Sequence, residues 1–97
     1  MGSLKELAEA EVAAIAERVR AKVAADIATG MDPDERMVCD GCFYERPGPG
    51  YTIHGWFILC NDCTLDLELA LARGEVTSVS EYLREREMVL ELVSEEF

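Results

Sequence analysis

The chain has 97 residues, and 20 acidic against 9 basic side chains leave it at −11. Phosphate binding relies on clustered Lys and Arg, so this balance disfavours a nucleic-acid surface. No apolar run approaches the roughly 20 residues of a membrane span, and Met1-Gly-Ser lacks the basic-then-apolar start of a secretory signal. The expectation is a cytoplasmic protein in a reducing compartment, with a core small enough to need a staple.

Residues 1–38 are predicted to be an N-terminal amphipathic helix and a connector. Ser3 and Glu6 have capping-box spacing, and Gly30 is placed to end a helix over 3–29. Leu4, Ala8, Val12, Ile15, Val19, Val23 and Ile27 recur at three- and four-residue steps and share one face. That stripe is the candidate interaction surface. Packing on the chain's own C-terminal helix is the default expectation, and a homodimer through the stripe is the alternative. Asp32-Pro-Asp-Glu35 should then make one short capped turn.

Residues 39–74 hold all four cysteines, as Cys39-Asp-Gly-Cys42, seventeen residues, then Cys60-Asn-Asp-Cys63. Each Cys-x-x-Cys turn can aim two thiolates at one point, and two such turns close a sulfur tetrahedron. One structural Zn²⁺ per chain is the leading expectation. Iron, an iron–sulfur cluster, disulfides and a redox pair are the alternatives. Four thiolates leave no open position for water or substrate, so catalytic zinc is disfavoured. With zinc bound the chain would carry about −13.

Gly41 is expected to take a positive φ in the first turn, with Phe43 and Tyr44 covering the site. Arg46-Pro-Gly-Pro-Gly50 reads as loop. Tyr51–Ile53 and Trp56–Leu59 read as a hairpin with a tight His54-Gly55 turn. His54 reads as a turn residue and Trp56 as core or site cover. Cys60 then opens a helix that Gly74 stops, with leucines on two faces and Asn61 and Asp62 capping its start. Residues 75–97 are predicted to add a C-terminal helix over 79–95, packed on the rest. Ser78 and Glu81 form its capping box, and Val79, Leu83, Leu90 and Val93 face inward, with Tyr82, Val89 and Leu92 widening the stripe.

The expected class is therefore a small α+β zinc protein on the treble-clef plan: knuckle, β-hairpin, helix, with a long N-terminal and a C-terminal helix. Leu59-Cys60-Asn61-Asp62-Cys63 and the seventeen-residue spacing resemble GATA-type fingers. Those fingers have Gly after the first pair and a basic tail, where this chain has Phe43 and an acidic tail. The same spacing behind an N-terminal helix, with Arg18-Val-Arg-Ala-Lys-Val23 ahead of Gly30, resembles the DksA/TraR zinc proteins. That resemblance implies a contact with RNA polymerase through acidic residues, for which Glu6, Glu9 and Asp32–Glu35 are the candidates. Ile58-Leu59-Cys60-Asn-Asp-Cys63 is also similar to the ClpX N-terminal zinc domain, a dimeric adaptor-binding finger.

No Cys–His couple outside the cysteine pairs, phosphate loop or nucleophile elbow appears, so no enzyme is expected. The leading expectation is a non-catalytic regulatory or adaptor protein. Its partner would be a protein, RNA polymerase or another with a basic surface. The alternative is an acidic decoy that inhibits a nucleic-acid-binding protein. A DNA-binding finger stands third, against the charge.

Overall fold

The two cysteine pairs sit at the ends of short strands, and the strands order them. The computed structural model describes residues 6–86. Strand β1 (Arg36–Val38) leads into the first pair and β2 (Glu45–Pro47) leaves it. They pair antiparallel, with Met37 opposite Arg46, so the first cysteine turn is the tip of a hairpin. This strand pair was not expected, since Pro and Gly dominate residues 46–50. A two-stranded ribbon has only edges, and Pro47 can sit on an edge without breaking a ladder.

Strands β3 (Thr52–His54) and β4 (Phe57–Leu59) form the second hairpin, with Ile53 opposite Ile58. Its turn is Gly55-Trp56, one residue later than expected. Asp40 ties the two hairpins together. Its N–H donates to the Ile58 carbonyl at 2.9 Å, and its carboxylate accepts from the Ile58 N–H at 2.7 Å.

Helix α2 (Asn61–Arg73) starts directly after β4. Gly74, at φ 79°, closes it as foreseen. Leu67 and Ala70 are buried, Leu65, Leu69 and Leu71 half-buried, so the helix is covered on more than one side. Thr77 and Ser78 lead into α3 (79–86). Ser78 Oγ accepts from the Glu81 N–H at 3.1 Å, as a cap should. The Glu81 carboxylate reaches Thr77 rather than Ser78, and that bond holds it below the usual carboxylate range. Tyr82 of α3 is buried and donates to Asp66 of α2 at 2.8 Å. Leu90, Val93, Val89 and Leu92 lie outside the described residues.

Helix α1 (Glu9–Ala28) begins later than the spacing of Ser3 and Glu6 predicts. Ala8 is the N-cap, and the Glu11 carboxylate accepts from its N–H at 3.3 Å. Ser3 and Leu4 lie outside the described residues. Of the predicted stripe, Val19 is buried and Val12, Ile15 and Val23 are half-buried, while Ala8 and Ile27 are exposed. Among the described residues the helix packs on α2.

The joint between α1 and α2 is polar at its centre, which apolar periodicity does not reveal. The Asn61 side chain donates to the Val19 carbonyl at 2.9 Å and the Gly50 carbonyl at 3.3 Å. Arg20 donates to Asn61 and Asp62 at 2.7 Å each. The Gly50 N–H donates to Asp26 at 2.8 Å. Lys22 first, then that Gly50 N–H, holds the Asp26 carboxyl below its ordinary range. Gly50 has φ 95°, and a Cβ there would stand 2.7 Å from Val23 and 2.9 Å from Asn61. Only glycine lets the loop slip between the two helices.

Candidate metal centre

Cys39 and Cys42 are aimed by the β1–β2 tip. The Cys39 N–H donates to the Tyr44 carbonyl at 3.0 Å and the Phe43 N–H to the Cys39 carbonyl at 2.8 Å, closing a tight turn. Cys60 ends the β4 segment and is itself the N-cap of α2. Its sulfur accepts from the Cys63 N–H at 3.5 Å. Asn61 and Asp62, expected as caps, face α1 instead.

All four Sγ atoms lie within 4.8 Å of one another, and none is joined in a disulfide. Among the described residues this is the one cluster of side chains that could hold a metal ion. Cys39, Cys60 and Cys63 are buried and Cys42 is half-buried. Cys39 Sγ accepts from the Gly41 and Cys60 N–H groups, each at 3.2 Å. Such N–H donors spread the negative charge that a bound tetrathiolate would carry. The acceptor role of sulfur also explains the neighbouring side chain Arg46. Its guanidinium is raised in pKa, first by its bond to Cys42.

The thiols differ in their ease of ionisation. Burial pushes the Cys60 thiol up, and does the same more strongly to Cys63, aided by its bond to Cys39. At Cys42 burial works in the same sense. The Tyr44 N–H and Arg46 outweigh it and bring that thiol down to about 7. Tyr51, buried beside the cluster with its hydroxyl on the Met37 carbonyl at 2.5 Å, is held neutral by burial and by the nearby sulfurs.

Several expectations fail here, each for a physical reason. Gly41 has no positive φ. It is needed for space, since a Cβ would come within 3.0 Å of Leu59 and 3.1 Å of the Cys63 sulfur. Phe43 takes the left-handed conformation instead, at φ 63°. Neither Phe43 nor Tyr44 covers the cluster, since both side chains are largely exposed. Leu59, fully buried, does the covering. Trp56 is neither core nor cover: at 97% exposed it stands at the turn of the second hairpin. His54 is not in the cluster; it is the last residue of β3 rather than part of the turn, and bonds Thr52 at 2.6 Å. That Thr52 hydroxyl also meets Thr64 of α2 at 2.7 Å.

A cleft of about 480 Å³ opens beside Cys42, lined by Tyr44, Asp66, Tyr82 and Arg86 among others. The Arg86 Nε donates to the Gly41 carbonyl at 3.2 Å, so α3 grips the first cysteine turn from this side. No helix of the described residues is long and apolar enough to cross a membrane. Comparison with known proteins finds no matching family model, curated protein or solved structure.

Proposed function

We propose that this chain is a non-catalytic adaptor or regulatory protein, built on a four-cysteine zinc finger of the treble-clef type and acting through protein contact. The observation that carries the proposal is the closed donor set. Tetrahedral Zn–S bonds of about 2.3 Å put sulfurs roughly 3.8 Å apart, which sits inside the 4.8 Å limit of the cluster. Four thiolates complete the coordination of the ion, so its part is structural. The order of elements supports the finger type: a cysteine turn at a hairpin tip, a second hairpin, then a helix with the second pair in its first turn.

The acidic surface points the finger toward protein rather than phosphate. No Lys or Arg occurs between Arg46 and Arg73, the stretch that holds the second hairpin and most of α2. A nucleic-acid-binding domain clusters Lys and Arg on one face or along a helix. The partner class is therefore a protein with a basic surface, RNA polymerase among the candidates.

A nuclease-treated pull-down with the zinc-loaded chain as bait, and Cys60→Ser as control, tests this. A defined protein retained only by the zinc-loaded bait is the expected result. Retention of DNA or RNA by the purified chain at low salt would overturn it. Recovery of its own copies alone would replace it with a self-assembling role through the α1 stripe.

A further inference from the structure

The β3–β4 hairpin ends in apolar side chains that the described residues leave exposed. Trp56 is the chain's single tryptophan and is 97% exposed, Ile53 is 78% exposed, and Phe57 is also exposed. One exposed apolar side chain is ordinary. Three within five residues, at one tip, form a patch.

The register shows the shape of that patch. Ile53 pairs with Ile58, and Phe57 pairs with His54. Adjacent residues of a strand point to opposite faces, so Ile53 and Phe57 flank the tip on its two sides, with Trp56 at the end. On the Phe57 side a groove of about 160 Å³ continues the apolar surface, lined by Asp40, Phe43, Phe57 and Leu83. A flat partner would cover one side only. A pocket that receives the tip covers all of it.

The tip is also held in place. Leu59 and Cys60, at the root, are 0% and 2% exposed, and Gly55 at φ 63° sets a two-residue turn. A preorganised aromatic spends little ordering entropy on binding, and tryptophan is a favoured anchor in interfaces.

Charge selects the occupant. Single-stranded nucleic acid stacks on aromatics that have cations beside them, and none stands between Arg46 and Arg73. An anionic lipid surface repels a chain at −11. A second copy carries the same charge. We infer that the β3–β4 tip, through Ile53, Trp56 and Phe57, docks into an apolar pocket on a partner protein whose rim carries Lys or Arg. This rests on the adaptor function proposed above and assigns its contact.

The test places benzoylphenylalanine at Phe57 of the zinc-loaded full chain, irradiates it in source-organism lysate, and maps the adducts by mass spectrometry. The partner so identified is then purified and titrated, with the Trp56 emission as signal for the natural chain and calorimetry for Trp56→Ala. The expected adducts lie on apolar residues of a Lys/Arg-rimmed pocket. Trp56→Ala should weaken binding by more than about tenfold while its melting temperature holds. Raising salt from about 50 to 500 mM should weaken binding of the natural chain several-fold. Adducts on nucleic acid, lipid or the chain's own copies would overturn the inference. A partner that binds Trp56→Ala as well as the natural chain would overturn it too, while leaving the adaptor function standing with another contact surface. No protein partner in either experiment would remove both.

Discussion

The second hairpin has two ends in opposite environments. At its root Leu59 and Cys60 are sealed against the cysteine cluster, and at its tip Trp56 stands in solvent. Both ends are apolar and only two residues, Phe57 and Ile58, separate Trp56 from Leu59. The difference shows how a small chain divides its apolar residues. Those beside the sulfurs close a core too small to hold by burial alone, and those at the tip stand in solvent, where the docking contact inferred above would use them. The root is tied down because the four cysteines, Asp40 and the start of α2 converge there. The tip is carried on that anchor without contributing to it.

Without the proposed zinc ion the root should break and the tip be lost with it. Structural Zn²⁺ contributes about 10 kcal/mol or more to small zinc domains. Chelation or Cys60→Ser is therefore expected to abolish near-UV CD from the hairpins and to leave the start of α2 frayed. A metal-free chain that kept its native near-UV CD would contradict this. The pH dependence follows from the thiols. In the metal-free fold burial raises Cys60 and Cys63, so the ion must displace their protons to bind. Metal-held thiolates titrate far below the free thiol, near 8.5. Their stabilisation is present at neutral and higher pH and is lost as pH falls through the titration of the bound sulfurs. Zinc occupancy should decline on acidification toward about pH 5. Occupancy unchanged over that range would count against a thiolate site.

Gly50→Ala should separate the root from the helix packed behind it. The new Cβ meets Val23 at 2.7 Å and Asn61 at 2.9 Å, in a backbone conformation at φ 95° that alanine resists. Strain and overpacking each cost about 1–3 kcal/mol. The joint of Asn61, Arg20 and Asp26 should loosen and the melting temperature fall. None of the four cysteines is among the atoms that the new Cβ meets, so the cluster should still bind one zinc ion. A variant that lost zinc and α1 packing together would show that the joint and the cluster form one unit.

The cysteine cluster was legible in the sequence because two Cys-x-x-Cys turns leave few other geometries. The second hairpin and the Gly74 stop were legible to within a residue, since alternation and a C-terminal glycine are local signals. The first hairpin was hidden by Pro47, which reads as a breaker but is harmless in a two-stranded ribbon. Asn61 sits at a helix start and so reads as a cap. Its real part, bonding Gly50 and also Val19, 42 residues earlier in the chain, is set by tertiary packing. Trp56 misled for a related reason. Large aromatics are usually buried, and residue type alone does not say which way a turn presents them.

The smallest predicted effect tests whether Phe43 belongs to the root or to the tip. It is the one non-glycine residue with positive φ among the described residues. A left-handed conformation costs a side-chain-bearing residue about 1–2 kcal/mol. Glycine would relieve that strain but lose about 0.5–1 kcal/mol more backbone entropy on folding. Phe43 is 55% exposed, so little burial is given up. Phe43→Gly should therefore stabilise the zinc-loaded chain by less than about 1 kcal/mol, a rise of a few degrees in melting temperature. Phe43 also lines the groove beside Phe57. If its strain is retained for docking, the same variant should bind the partner more weakly while melting higher. A variant that melts higher and binds unchanged would assign Phe43 to the root alone, and would confine the docking surface to Ile53, Trp56 and Phe57.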